Sequence, residues 1–301
     1  DSAAAANRCG PAQALDRTRI RRMSAKTTLR QHQLDWASTA SRLPDPRGYL
    51  ASYDLNLFQP LSPDALSAFT QGSGSELLPS EMRPAKMAAL HSSSALAVNA
   101  FDYWSGKPLA AIASALGIEP APERFRFEAQ FPTGLGGTPP NLDLAFSYPD
   151  GQILGVESKF SEWLTPKPSH KENFKAKYFP KNEFLWSQVG LPNAQRLAES
   201  IQKNDREFRH LDAAQLLKHM LGLATAAPGR ISLYYIYYDC LGSESSIHHA
   251  EIEAFSELIG TDMKFYSASY QKFFGRLRTA IGEEHRPYLN YVTERYCQSA
   301  V

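Results

Sequence analysis

The apolar residues of the chain recur with periods that separate strands from helices. From Asn141 to Ser147 the pattern alternates, with Leu142, Leu144 and Phe146 on one face and Asp143, Ala145 and Ser147 on the other. A second alternation puts Leu154, Val156 and Phe160 on one face, and Ile153, Gly155, Glu157 and Lys159 on the opposite one. Between the two runs lies Tyr148-Pro149-Asp150-Gly151-Gln152. Pro149 suits the second position of a type I turn, and Gly151 supplies the left-handed residue that closes a three-residue loop. The pattern therefore predicts an antiparallel hairpin in which Tyr148 pairs with Gln152. Asp143 then stands directly opposite Glu157, and Lys159 lies one pleat along on the same face.

Upstream, "ERFRFEAQF" alternates Phe125, Phe127, Ala129 and Phe131 with Arg126, Glu128 and Gln130, as a half-buried strand does. Residues 24 to about 80, interrupted by Pro44, Pro46, Pro60 and Pro63, predict a loop-rich wrap with one short helix. A helix is expected to start near Ser80 and run through "HSSSALAVNAFDYW", and "KPLAAIASALG" reads as another, ended by Gly117. After the hairpin, residues 161–190 look irregular. Helices follow near 191–204 and 212–224, the second with Asp212 as N-cap and Gln215 at its third position. "ISLYYIYYD" is dense enough in β-branched and aromatic residues for a central strand, and helices near 249–260 and 266–282 close the chain. The order helix, strand, strand, strand, helix, strand predicts an α/β fold, with a mixed four-stranded sheet flanked by helices. Residues 1–23, small and basic without an apolar core, read as a disordered tail, with Met23 as an alternative start. A single domain with C-terminal helices is expected over 24–301.

Composition narrows the classes. The 301 residues are 43% hydrophobic and 21% charged, as in an ordinary globular chain. A formal net charge of +1 gives no global sign of nucleic-acid binding, so any such footprint must be local. Three cysteines, Cys9, Cys240 and Cys297, lie far apart and form no C-x-x-C pair. That argues against a disulfide scaffold or thiolate zinc site and for a reducing, cytoplasmic setting. No apolar run approaches the ~18–20 residues that span a bilayer. Two basic stretches stand out. Arg17, Arg19, Arg21 and Arg22 in the tail read as solvated charge. Lys167, Lys171, Lys175, Lys177 and Lys181 alternate with Trp163, His170, Phe174, Tyr178 and Phe179. This second stretch fits either contact with a phosphate backbone or a solvated loop anchored by its aromatics.

The hairpin carries the candidate chemistry. Two opposed carboxylates destabilise a sheet, and a proton or a metal ion relieves them. The plainer alternative is an exposed cross-strand ion pair worth ~0–1 kcal/mol. Oxygen ligands favour a hard cation such as Mg²⁺. A retaining glycosidase also pairs carboxylates, about 5–5.5 Å apart, but needs no lysine two residues on and more tryptophan than this chain offers. Among the histidines, His248 and His249 point to different faces. His219, one turn after Gln215, reads as a satisfied surface residue with the site as its alternative, and His91 is ambiguous.

The predicted order, Asp143 in the second strand and "ESK" in the third together resemble the PD-(D/E)XK nuclease superfamily, the restriction-endonuclease-like αβββαβ fold. "TPPNLDLAF" with "GVESKFSEW", preceded by "HSSSALAVNAF" and followed by "DAAQLLKHMLGL" and "LYYIYYD", resembles one bacterial family of restriction endonucleases within it, over about residues 85–280. The resemblance implies a metal-dependent nuclease hydrolysing phosphodiester bonds of DNA, of restriction or repair type. It makes Asp143 and Glu157 the metal-binding carboxylates, Lys159 the catalytic lysine and the Ser158 backbone carbonyl a further ligand. Glu128 resembles the extra acid of some members, which others draw from the first helix. Gln215 matches a helix glutamine near the active site, or caps its own helix. Mg²⁺ is the implied cofactor, with Mn²⁺ able to substitute, and Lys167, Lys171, Lys175 and Lys177 are candidate nucleic-acid contacts. Cutting both strands implies two active sites, hence a homodimer. The rival class is a catalytically silent nuclease-fold module that binds DNA or a partner.

Overall fold

The computed structural model describes residues 24–72, 74–168, 172–202 and 207–297; the expected tail over 1–23 lies outside them. Helices α1 (Ala25–Thr39), α2 (Pro63–Gln71), α3 (Ser93–Phe101) and α4 (Ala110–Leu116) lead into strands β1 (Arg124–Gln130), β2 (Asn141–Ser147) and β3 (Ile153–Lys159). Then come α5 (Leu185–Gln188), α6 (Pro192–Ile201), α7 (Ala213–Ala226), β4 (Ile231–Tyr237), α8 (Ser243–Ile259), β5 (Lys264–Ser269), α9 (Tyr270–Ala280) and α10 (Arg286–Tyr296). The strands form one open mixed sheet in the order β1-β2-β3-β4-β5. The first three run antiparallel, while β3/β4 and β4/β5 are parallel.

The sheet has five strands, not the expected four. Lys264–Ser269 does not open the last long helix but pairs with Ser232–Tyr237. The Ser269 hydroxyl then accepts from the Lys272 N–H and starts α9 at Tyr270. Without β5, the central β4 would leave its outer backbone groups unpaired. The helices also depart from expectation. The stretch 24–80 holds two helices, of which α1 buries Leu29, Gln33, Trp36 and Ala37. Gln33 breaks that apolar stripe, which is why periodicity missed the helix. Residues 80–91 are not helical beyond a 3-10 turn at Lys86–Ala88; α3 begins only at Ser93, where the Ser92 hydroxyl accepts from the Ala95 N–H. The tail of the chain adds α10, which no pattern announced.

One core lies on each face of the sheet. Leu144, Phe146, Leu154, Val156, Tyr234 and Ile236 pack under α3, α4, α9 and α10. Leu142, Ala145, Leu233, Tyr235 and Tyr237 pack under α6, α7 and α8. Among the described residues no helix is long and apolar enough to cross a membrane.

Candidate functional site

The hairpin forms as its turn chemistry dictates. Gly151 takes φ +83°, its N–H bonds to the Tyr148 carbonyl at 3.0 Å, and Tyr148 N–H bonds to the Gln152 carbonyl at 3.1 Å. The foreseen register holds from Ser147↔Ile153 to Leu144↔Val156, then stops. Asp143 and Glu157 are therefore not a directly opposed pair. Instead, Asp143 Oδ2 accepts from the Ser158 N–H at 2.7 Å, so a carboxylate stands where the ladder would have used a β2 carbonyl.

The cause lies at one point shared by β1 and β2. Phe127 and Leu144 pack on one face of the sheet while Ala129 and Leu142, two residues along their strands, pack on the other. With a side-chain period of two, such a switch needs an irregular residue between them. Those residues are Glu128 and Asp143. Glu128 has φ +47°, a left-handed conformation unusual for a non-glycine residue, in the middle of a strand. The expected strict alternation of both strands thus fails at the two acids.

Glu157 stays on the face covered by α7. It is 1% exposed, and its Oε1 accepts from Lys159 Nζ at 2.5 Å. Lys159 Nζ also donates to Gln215 Oε1 at 3.0 Å, so of its two readings Gln215 takes the one that reaches the lysine. Its backbone N–H, not its side chain, meets the α7 cap, Asp212 Oδ1, at 3.1 Å. One turn on, His219 is buried, correcting its reading as a surface residue. Its Nε2 lies 3.0 Å from Glu157 Oε2, without the alignment of a hydrogen bond. Its spacing of four from Gln215, on one helix face, was the signal available in the sequence.

Two glycines let α7 come this close. A Cβ on Gly155 would sit 2.9 Å from Leu223 Cδ1, and one on Gly222 would sit 2.5 Å from the Phe131 carbonyl oxygen.

The charges divide unequally. Burial opposes ionisation of Glu157, but Lys159 and then His219 outweigh it and hold the carboxyl below its ordinary range. Burial likewise works against the Lys159 ammonium, yet Glu157 and Asp143 raise it further into its charged form. Asp143 is pushed well above the ordinary carboxylate range by burial and then by the charge of Glu157. Glu128 is raised too, chiefly by burial, and its Oε2 accepts from Asn141 Nδ2 at 2.6 Å. Lys159 keeps 16% of its side chain exposed, so the group opens to solvent at the lysine.

The other candidates lie around this centre. Lys167 Nζ is 3.5 Å from Asp212 Oδ1, and Lys177 Nζ donates to the Gly136 carbonyl at 2.6 Å. Lys175 is exposed, while Lys171 lies outside the described residues. Phe174 and Tyr178 are buried against Trp186, so these aromatics anchor the loop and are not free to stack on bases. His248 is fully buried against Tyr235 and Trp163, and His249 pairs with Asp239 at 3.2 Å. Among the described residues no three His, Cys, Asp or Glu side chains already form a metal-holding group.

A comparison with curated proteins and one with solved structures found no match to the chain. A family model described as Restriction Endonuclease associating with ARP matches residues 30–297. With the match running through every element of the sheet, the chain belongs to that restriction-endonuclease family, whose function is nuclease-related.

Proposed function

We propose that this chain is a metal-dependent nuclease that hydrolyses phosphodiester bonds of DNA, as a restriction or repair endonuclease does. The reading is carried by Asp143, bonded to the Ser158 N–H within reach of the charges of Glu157 and Lys159, and by the Glu157–Lys159 pair itself, with Gln215 holding the lysine from α7. That acid, acid-x-lysine grouping is the one expected of a PD-(D/E)XK enzyme. Family membership supports the nuclease class.

Asp143, Glu157 and the Ser158 carbonyl are the groups assigned to a divalent ion, Mg²⁺ with Mn²⁺ as substitute; Glu128 stands beside them as a further acid. Two features favour the fit. Glu157 Oε2 is buried 3.0 Å from His219 Nε2 without an aligned hydrogen bond, and Asp143 is pushed toward its neutral form by burial and then by the charge of Glu157. A cation beside both would relieve each. Ser158 turns its N–H toward Asp143, and a strand residue's N–H and C=O leave on the same side, so its carbonyl faces that way too. An all-oxygen donor set suits a hard cation, which when bound activates a water and screens the phosphate. Lys159, kept protonated by Glu157, serves to orient the attacking water and to hold charge that builds on the phosphate; it is not poised to take a proton. Gln215 fixes the direction of that ammonium. Cleavage of both strands would use two copies of the site, hence a homodimer.

One observation favours the rival reading of a silent binding module: Glu157 is already engaged by Lys159 and His219. Supercoiled plasmid incubated with the protein and Mg²⁺ separates the two. The nuclease reading expects nicking that EDTA abolishes and that Lys159→Ala reduces about 10²–10³-fold. DNA binding without nicking by the wild type would overturn it in favour of the module.

A further inference from the structure

Four cations from distant parts of the chain form one band that ends at the candidate site. On α1, Lys26 and Arg30 are one turn apart on the same side of the helix. Lys26 Nζ donates to Thr165 Oγ1 at 2.8 Å, which ties α1 to the loop that leaves β3. Two residues further, Lys167 N–H donates to the Arg209 carbonyl and Arg209 Nε donates to the Lys167 carbonyl, both at 2.7 Å. This reciprocal pair fixes Lys167 and Arg209 side by side. Lys167 also reaches Asp212, the cap of α7, three residues before the Gln215 that holds Lys159. Glu162 links the band to the site from the other side: its Oε2 accepts from the Phe160 N–H, and its charge acts on both Lys159 and His91. The charges of Lys26 and Arg30 act on that same His91.

We propose that Lys26, Arg30, Lys167 and Arg209 form a track for a phosphodiester backbone, leading a nucleic-acid strand to the Asp143–Glu157–Lys159 centre. The inference rests on the nuclease reading above and adds its substrate path. In a chain of net charge +1, four cations gathered beside the carboxylates of Glu162, Asp212 and Glu251, the last accepting from the Arg209 N–H at 2.8 Å, give a local positive footprint that suits a polyanion. Accessibility also suits the role. Arg30 is exposed, and Lys26, Lys167 and Arg209 are each only partly buried, so the cations are within reach of solvent. Contacts of this kind hold phosphates without reading bases.

The test is the affinity of a fluorescein-labelled 20-base-pair DNA duplex for the full chain, measured by anisotropy across a salt series. Neutralising two phosphate contacts lowers the slope of log K against log salt by about 1.8, and one contact by about 0.9. The variant Lys26→Ala/Arg30→Ala is expected to lose the larger amount. Arg30→Ala alone, which breaks no hydrogen bond recorded for this residue, is expected to lose the smaller amount and covers the case in which the double variant folds poorly. Lys264→Ala removes a charge from the start of β5, at the opposite end of the sheet and ~16 Å away along the strands, and is expected to leave the slope unchanged. If the wild type binds and nicks DNA while Arg30→Ala and the double variant keep its slope, the track is overturned and the nuclease reading stands. If Lys264→Ala lowers the slope as much, binding is diffuse and the track is equally overturned. A wild type that neither binds nor nicks overturns both.

Discussion

Asp143 is the residue where stability and the proposed chemistry pull apart. Burial, and then the charge of Glu157, raise its carboxyl well above the ordinary range, while the hydrogen bond it accepts from the Ser158 N–H is one that an amide oxygen can accept equally. Asp143→Asn therefore removes a charge conflict and keeps the bond. The expected outcome is a gain of about 1 kcal/mol, or roughly 2–4 °C in Tm, in the metal-free protein. A group whose folded pKa is raised gives its full stabilisation below the unfolded value and loses it as pH rises through the folded one. The gap between variant and wild type should thus widen with pH in a calorimetric series. The same variant should lose any Mg²⁺-induced rise in Tm; retention of that rise would remove Asp143 from the ion. Glu157 and Lys159 were legible from the strand period. His219 was legible only as an alternative, because its spacing from Gln215 puts both on one helix face without saying that the sheet covers that face.

At the scale of elements, the site depends on how near α7 lies to the sheet. An exposed helix glycine replaced by alanine gains about 1 kcal/mol of helix propensity. Gly222 is expected to do the reverse, since its added methyl would meet a backbone carbonyl at 2.5 Å that cannot swing away as a side chain would. Gly222→Ala should cost about 1–3 kcal/mol by chemical denaturation, and it should lower nicking more than Tm alone explains, because Gln215 and His219 ride on the displaced helix. An unchanged midpoint would show that α7 has slack. The β1–β2 pair makes a related point. Its alternation reads as continuous in sequence, yet both strands turn over at Glu128 and Asp143, placing acids where a regular ladder would place paired backbone. A local period cannot report that switch, since both faces of the sheet are covered and apolar residues suit either.

At the scale of the whole molecule, two buried polar groups join distant segments. Arg295 from α10 is 2% exposed and has no carboxylate among its recorded partners; it donates to Asn56, Leu90 and Gln33 and lies 4.1 Å from the centre of the Trp36 ring, locking α1 and the loops before α3 to the C-terminal helix. His248 links α8 to β4 through the Tyr235 hydroxyl at 2.9 Å and stacks on Trp163. Burial, reinforced by His249 and His210, pushes its pKa down to about 3. The unfolded chain protonates this residue near 6.5 while the folded one does not, so its support is full above that pH and is lost toward about 3, by up to about 1.4 kcal/mol per pH unit. His248→Gln should accordingly be less stable than wild type at pH 7, with the difference shrinking in melts taken down to pH 5; a constant difference would show that His248 does not govern the acid limb. The sequence by itself determined the hairpin and its loop, the acid-x-lysine strand, the capped α7 and the central β4, because turn chemistry and side-chain period are properties of neighbouring residues. Only the tertiary structure decided that Asp143 bonds the Ser158 N–H instead of standing directly opposite Glu157, that 264–269 is a strand, that His219 is buried, and that Lys26 lies beside a loop 139 positions away. Those outcomes depend on which surfaces remain to be covered once the sheet has formed, and no contiguous stretch of sequence carries that information.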